Sequence, residues 1–351
     1  MDSRERVLAA LNHQVPDKIP FMFSIIDKSI REEILGETIT YDYPDPVADF
    51  GSLGVLGQPS HIDSYEAIDA RVARKLGLDA IGIQYFPPMY ADCHKGANGK
   101  LQIIRGNLTS REALQQMILP DVDDDRLYDH ARDFISRYKG EFALFCRVRL
   151  GISFIMNSMG VEDFSYAMVD DPEFLTDAIR TYTDWTGRLI KNLSELGFDF
   201  FWSFDDMAYK ETTMFSNDTF REYFLPHLKK AASNFSTPWI FHSDGNLFPV
   251  LDSLLELGMS GLHPLEPGAM DEAKLKAEYG DKLCLVGNLD INHTLTDATR
   301  EEVEEAVQSR IALMGAGGGY IISDSNSVPD YCTTRNVQWA AEAVHKYRNI
   351  Y

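Results

Sequence analysis

The sequence predicts an α/β fold, a single (β/α)8 barrel with an N-terminal helical cap and a β-hairpin insertion. Two observations carry that prediction. From residue 19 onward, eight short apolar runs alternate with longer segments of helical period, and eight is the number of strands that closes a barrel. No Pro/Gly/Ser-rich linker or low-complexity tract divides the chain, so one barrel domain over 1–351 is the economical reading. The length of 351 residues accommodates one barrel or two small domains and does not choose between them.

Taken in order, the runs are IPFMFSII (19–26), LDAIGIQY (78–85), ALFCRVRLG (143–151), FDFFWSFDD (198–206), PWIFHSDG (238–245), GLHPLEP (261–267), LCLVGNLD (283–290) and GYIISDSN (319–326). Ahead of the first lies the helical cap. Between the second and third, MYADCHKGANGKLQIIRG (89–106) has an Ala-Asn-Gly centre flanked by alternating residues, the pattern of an inserted β-hairpin. Of the helical segments, 171–196 is amphipathic, 216–233 opens with Ser-Asn-Asp capping chemistry, and 301–314 ends before a Gly run. That run, GAGGGY (315–320), precedes the last strand instead of following one and opening a helix. It reads as a tight loop feeding the eighth strand, not as a phosphate cradle.

Composition narrows the function classes. The chain has 33 Lys plus Arg against 54 Asp plus Glu, a formal charge of −21, which repels nucleic-acid phosphate and anionic lipid and argues against both as partners. No apolar run of about 18 residues exists, and the N-terminus is charged where a signal peptide needs an apolar core, so a cytoplasmic location is expected. Cys93, Cys146, Cys284 and Cys332 are widely spread without a CxxC pair and read as reduced, structural thiols.

In such a barrel the reactive groups sit at the C-terminal ends of the strands, so polar residues closing an apolar run carry the most weight. The fourth run closes with Asp205 and Asp206, the fifth with His242, Ser243 and Asp244, and the sixth with Glu266. The seventh closes with Asn288 and Asp290, the eighth with Ser323, Asp324, Ser325 and Asn326. Carboxylates converging on one mouth repel one another unless a cation, a shared proton or an arginine intervenes. Capping of the next helix accounts for Asp205, Asp244 and Asp290 one by one equally well. His242, in carboxylate-rich surroundings, favours a functional role over a core one. His263 stands within the sixth run, but Pro264 beside it points to a bend and not to a ligand. Arg147 and Arg149 alternate on the third run and share a face, placed to neutralise the carboxylates or grip an anionic substrate; pairing with structural carboxylates fits as well.

Four segments, RERVLAALNHQVPDKIPF (4–21), FHSDGNLFPVLDSLLELGMSGLHPLEP (241–267), KLKAEYGDKLCLVGNLD (274–290) and GAGGGYIISDSNSVPDYCTTRNV (315–337), together resemble the uroporphyrinogen decarboxylase superfamily over nearly the whole chain. The resemblance implies a single (β/α)8 barrel and two kinds of activity, tetrapyrrole decarboxylation and corrinoid-dependent methyl transfer. The decarboxylase branch carries an arginine-bearing MRQAGR segment where this chain reads FMFSIIDKSIREEIL (21–35), and an essential aspartate where it has Gln84 and Tyr85. Without those groups the porphyrinogen carboxylates and pyrrole NH groups lack their partners. The branch acting on the coenzyme M thiol holds zinc with a His-x-Cys pair and a later Cys, where His242, Asp244 and Asn326 stand here. Replacing soft thiolates by hard ligands points away from a thiol acceptor.

The resemblance is then to the branch that cleaves aryl methyl ethers. It implies a zinc site of two acidic residues and a histidine, for which Asp206, Glu222 and His242 are the candidates, with Glu162 as a further one. Glu222 lies more than a turn into its helix, where a solvated helix residue is an equal reading, and a helix N-terminal position explains Glu162 equally well. Zinc, or an acid such as Asp205 or Asp244, would draw charge from the ether oxygen while the Co(I) corrinoid of a partner protein attacks the methyl carbon. This chain has no DxHxxG cobalamin motif of its own. Tyr85, Asn288 and Asn326 are the expected substrate contacts, and Tyr85, Phe86, Phe204 and Tyr209 the expected aromatic pocket. A homodimer is expected by resemblance alone. The expected function is therefore a methyltransferase acting on a methyl ether, with a decarboxylase of a carboxylic acid as the alternative.

Overall fold

The computed structural model describes residues 1–40, 52–62, 64–96 and 101–351. Its strands, in chain order, are β1 (Ser64–Glu66), β2 (Ala80–Tyr85), β3 (Ala91–Lys95), β4 (Leu101–Gly106), β5 (Ala143–Val148), β6 (Phe200–Phe204), β7 (Trp239–His242), β8 (Gly261–His263), β9 (Cys284–Val286) and β10 (Tyr320–Ile321). Eight of them form one sheet in the order β1-β2-β5-β6-β7-β8-β9-β10, parallel throughout except for the antiparallel β1–β2 pair. The predicted barrel is what the chain builds, although its first predicted strand is not a regular ribbon. Residues 19–26 lie between β10 and β2 through isolated bonds: Met22 N–H donates to Ile322 O at 3.1 Å, and Asp79 N–H donates to Phe21 O at 2.7 Å. Pro20 has no N–H to offer this ladder and serves only as an acceptor, for Ile322 N–H at 3.0 Å.

Every residue of β2, β5 and β6 is buried, which explains why these runs are continuously apolar instead of alternating. One face of each lines the barrel and the other meets the helices. Inside, Gly82 is the only size that fits, because a Cβ there would stand 2.2 Å from the Phe145 ring. Outside, the long helix Pro172–Ser194 opens on an Asp171 side-chain cap with Pro at its first position. The helix Arg300–Met314 opens on a Thr299–Glu302 capping box. The stretch opened by the Ser216 cap runs through a π-helical turn, Phe220–Phe224, into the helix Leu225–Ala232.

The N-terminal cap is the helix Ser3–Leu11, followed after the first barrel segment by Lys28–Leu35. Arg4 and Arg6 of the cap reach the N-terminal end of the barrel, joined there by Arg348 at the end of the C-terminal helix Thr334–Tyr347. Arg6 Nη1 donates to Asp79 Oδ1 at 2.6 Å, Arg348 Nη1 donates to Asp79 Oδ2 at 2.8 Å, and Arg4 Nε donates to Asp199 Oδ1 at 2.6 Å. The inserted hairpin is present as the antiparallel pair β3–β4; its predicted Ala-Asn-Gly centre, residues 97–99, lies outside the described residues. No helix of the described residues is long and apolar enough to cross a membrane.

Candidate functional site

The parallel register places Phe204, His242 and His263 side by side on β6, β7 and β8, at the C-terminal ends where the loops begin. Just beyond β6 and β7, Asp206, His242 and Asp244 form a group whose candidate ligand atoms all lie within 4.8 Å of one another. His242 Nε2 is 3.4 Å from Asp206 Oδ1 and 3.8 Å from Asp244 Oδ1. The imidazole is buried at 4% exposure, whereas the side chains of Asp206 and Asp244 keep 39% and 31%, so the cluster opens to solvent on its carboxylate side.

Backbone geometry fixes these positions. Asp244 N–H donates to Asp206 Oδ1 at 3.2 Å, joining the two carboxylate-bearing loops. Gly245 adopts φ 85° and donates its N–H to Glu266 Oε2 at 2.8 Å. Only glycine is at ease there, since a Cβ would meet Tyr209 O at 2.5 Å and the Ala208 carbonyl carbon at 2.6 Å. Asn326 donates its side-chain amide to Asp244 Oδ2. The other oxygen, Asp244 Oδ1, is buried without a hydrogen-bond partner.

Charge is unevenly shared. Burial pushes the Asp244 carboxyl upward, opposed by His242 and reinforced by the like charges of Asp206 and Glu266. Burial also draws Asp206 upward, but the hydrogen bond and charge of His242 outweigh it and hold that carboxyl below its ordinary range. A carboxylate pair with one member high and one low, sharing a histidine, can accommodate a cation or a proton. The orphaned Asp244 Oδ1 beside an imidazole nitrogen and a second carboxylate is the donor set a divalent metal takes, nitrogen and oxygen without thiolate.

Behind the cluster lies a second layer. His242 Nδ1 and His263 Nδ1 are 2.6 Å apart, and His263 Nε2 is 3.1 Å from Asp324 O and 3.4 Å from Asp324 Oδ1. Burial outweighs the Asp324 partner and lowers His263 to about 4, so its imidazole is neutral. Asp324 stays below its ordinary range because hydrogen bonds from His263 and Ser24 outweigh its own burial. The inner wall is aromatic and cationic. The Arg147 guanidinium sits 4.1 Å over the Phe204 ring, Arg149 sits 4.6 Å over Phe86, and Phe204 packs 4.4 Å from the His242 ring.

The other expected site residues fall elsewhere. Glu222 is not in the group: it is exposed on the π-helical turn and lines an outer groove with Glu173, Asp177 and Tyr223, and Asp244 takes the third position instead. Asp205 is fully buried with both oxygens engaged by backbone, from Leu150 N–H at 2.6 Å and from Gly151 and Ser153 N–H at 3.1 Å each. These amides belong to the turn and helix start after β5 and not to the next helix, so in place of the expected cap the carboxylate ties the end of β6 to the turn after β5. Tyr85 donates to Leu127 O at 3.1 Å and packs near Tyr128, while its neighbour Gln84 accepts from Arg147 at 3.0 Å. Strand alternation thus sends Gln84, not Tyr85, into the barrel. Asn288 is fully buried and donates to Leu265 O and Glu272 Oε1, with Oδ1 unpartnered. Asp290 accepts from Asn292 N–H at 2.8 Å, a turn role. Glu162 is exposed and accepts from Tyr166. Of the expected aromatic pocket, Phe86 and Phe204 lie together at 6.4 Å between ring centroids, and Tyr209 is exposed on its loop.

His263, read as part of a bend, and Asp324, named at the end of the eighth run but given no role, are the residues whose contact with the cluster sequence reasoning did not foresee. Their signal was positional: His263 and His242 each stand at the C-terminal end of adjacent strands, and Pro264 drew attention to a bend.

The family model for uroporphyrinogen decarboxylase (URO-D) matches residues 140–347, a span that contains the whole cluster and its second layer. The methylcobamide:CoM methyltransferase MtaA of Methanosarcina barkeri is 28% identical over 110 residues, 30% of this chain and 32% of that protein, so the match spans about a third of that relative's length. A methyltransferase from Methanosarcina mazei has the same fold, with a TM-score of 0.71 at 16% identity over 99% of both chains.

Proposed function

The chain belongs to the uroporphyrinogen decarboxylase (URO-D) family, and from that premise we propose that it is a methyltransferase working with a corrinoid protein, cleaving a methyl ether, specifically of a methoxylated aromatic. The observation that carries the reading is the Asp206–His242–Asp244 group with its orphaned Asp244 oxygen. The sequence similarity to a methylcobamide:CoM methyltransferase supports the corrinoid half. The donor set supports the ether half, because carboxylates stand where a site for thiol chemistry uses thiolates.

Asp206, His242 and Asp244 would hold zinc, which when bound supplies Lewis acidity to withdraw charge from an ether oxygen. The rest is done by the chain. Asn326 keeps one Asp244 oxygen occupied and so decides which oxygen faces His242. Phe86 and Phe204, capped by Arg147 and Arg149, make a dry floor beside His242 that excludes water and accepts an aromatic ring. The partly exposed Asp206 side leaves the face over which a partner protein can present its corrinoid.

The test is metal content by mass spectrometry, followed by methyl transfer from a panel of methoxylated aromatics to a reduced corrinoid protein. About one zinc per chain and substrate loss that requires the corrinoid protein are expected. Absence of transfer across the whole panel overturns the ether reading. One observation favours a second reading, decarboxylation of a carboxylic acid: Arg147 and Arg149 are buried against the site, with Arg149 donating to Phe204 O at 3.1 Å. Carbon dioxide release without any corrinoid would select it.

A further inference from the structure

We propose that His263 and Asp324 are positioning residues that set the tautomer of His242. His242 Nδ1–H donates to His263 Nδ1, His263 Nε2–H donates to Asp324, and the Nε2 lone pair of His242 is thereby presented to a cation between Asp206 and Asp244. The cation in this statement rests on the metal reading above; the proton positions do not.

The hydrogens follow from the partners, read from the far end of the chain of contacts. His263 Nε2 faces two oxygens of Asp324, the backbone O at 3.1 Å and Oδ1 at 3.4 Å. Asp324 is not free to turn a proton toward it. Its Oδ2 accepts from Ser24 N–H at 2.8 Å, and its Oδ1 accepts from Ser24 Oγ and from Asn326 N–H, each at 3.2 Å. Bonds of this kind favour the ionised carboxylate, an acceptor only. A lone pair on His263 Nε2 would oppose two further lone pairs, so the hydrogen belongs on that nitrogen.

His263 is completely buried and edge-on to Trp202, surroundings that disfavour a cationic ring, and a neutral imidazole with Nε2–H has Nδ1 as its acceptor. The 2.6 Å contact between the two Nδ1 atoms needs one hydrogen between them, and His242 must then supply it. With His242 neutral, its remaining nitrogen, Nε2, carries a lone pair aimed at Asp206 Oδ1 and Asp244 Oδ1; the proton that occupies it in the ion pair with Asp206 is the one a cation displaces. Asp244 Oδ1 has no hydrogen-bond partner. Three acceptors therefore face one another, an arrangement that asks for a cation at their centre. The ring planes are held as well: Trp202 meets His263 edge-on at 4.7 Å and 88°, and Phe204 backs His242.

The arrangement is a carboxylate–histidine–histidine series, in which the second imidazole does for the ligand what a carboxylate or carbonyl does in simpler sites. It also explains why a residue of the first barrel segment, Ser24, and one of the last strand run, Asp324, serve a group on β7. Barrel closure brings 24 and 324 together across 300 residues of sequence.

Long-range ¹⁵N–¹H correlation on metal-free, ¹⁵N-His-labelled protein in mildly alkaline buffer reads the tautomers directly. Nδ1–H on His242 and Nε2–H on His263 are expected; the reverse pair overturns the proposal. Zinc titration of His263→Leu and His263→Asn adds a second readout. Leu removes the acceptor, and zinc affinity should fall by about 10- to 100-fold. Asn can place Oδ1 near the vacated Nδ1, accept from His242, and recover most of that loss. Equal losses in the two variants, or none in His263→Leu, would assign His263 to packing and overturn the positioning role. If a variant does not fold, the wild-type spectrum decides alone. Expected tautomers in a wild type that takes no zinc would sink the metal reading and leave the positioning series standing.

Discussion

Asn326 donates its side-chain amide to Asp244 Oδ2 across 82 residues of sequence, joining the run that ends the barrel to the turn after β7. One Asp244 oxygen is thereby occupied and the other, Oδ1, lies 3.8 Å from His242 Nε2 without a hydrogen-bond partner. A carboxylate held this way offers a single oxygen to a ligand. The cluster is thus pre-shaped for a one-oxygen contribution from Asp244, with Asp206 and His242 as the other donors.

The first prediction concerns the ligand set. His242→Ala and Asp206→Asn each remove a donor and should lower zinc affinity by at least about 10-fold, whereas Glu222→Gln should leave it unchanged because Glu222 is exposed in an outer groove. Isothermal titration with zinc separates these outcomes. A matching loss in Glu222→Gln would return Glu222 to the site.

Asn326→Ala tests the hold on Asp244. With the amide gone, both oxygens of a partly exposed carboxylate lack a protein donor, and the side chain can rotate. Zinc affinity should fall by roughly 10-fold while the melting temperature changes little, since the bond lies at the mouth and not in the barrel wall. Unchanged affinity would show that Asp244 needs no such restraint.

Stability should depend most on the opposite end of the barrel. Asp79 accepts from Arg6, Arg348 and the Phe21 N–H, with the three charged side chains between 4% and 7% exposed. Asp79→Ala leaves the buried Arg348 guanidinium without its carboxylate and Arg6 with Asp17 alone, and should cost about 3–5 kcal/mol by denaturant unfolding. The exposed pair Arg74–Glu141 is the contrast: Arg74→Ala should cost less than about 1 kcal/mol. Similar costs for the two would mean the cap is not anchored through Asp79.

The barrel was legible because buried parallel strands leave unbroken apolar runs, as β2, β5 and β6 do, and because polar residues closing those runs mark one end. His242, Asp206, Asp244 and Asn326 were found by that rule. The rule cannot tell which of two neighbouring polar residues turns inward: Asp205 beside Asp206, and Tyr85 beside Gln84, are decided by strand alternation and by the backbone N–H groups of residues 150–153. Nor does it weigh pairs. His263 reads as a bend until register sets it beside His242, and Glu222 reads as a ligand until the helix carries it to the outer surface.

Acid should loosen the N-terminal cap. The hydrogen bond from Arg6, with its charge and that of the N-terminus, outweighs partial burial and lowers Asp17 from its ordinary 3.8 to about 2. A carboxyl depressed in the folded state stabilises above its unfolded value, and that contribution disappears as pH falls from about 4 toward 2. Asp17 is 37% exposed, so the effect is modest and weakens with salt. Thermal melts of wild type and Asp17→Asn should differ at neutral pH and converge through that window. A gap that stays constant down to pH 2 would show that the Arg6 pair is not what shifts Asp17.

The last prediction uses Gly245, because it links backbone geometry to the site. At φ 85° a Cβ is strained by about 1–2 kcal/mol in itself. Here it would also stand 2.5 Å from Tyr209 O and 2.6 Å from the Ala208 carbonyl carbon, backbone atoms that cannot swing aside as a side chain can. Gly245→Ala must therefore push the 244–246 turn off the 208–209 loop. That shift loosens the Gly245 N–H bond to Glu266 and the Asn246 N–H bond to Tyr209 O, each 2.8 Å long. Asp244 precedes the displaced residue and moves with it, so the variant should fold with a lower melting temperature and bind zinc at least about 10-fold more weakly. Full zinc affinity in a folded Gly245→Ala protein would mean that Asp244 is not held in place by this turn.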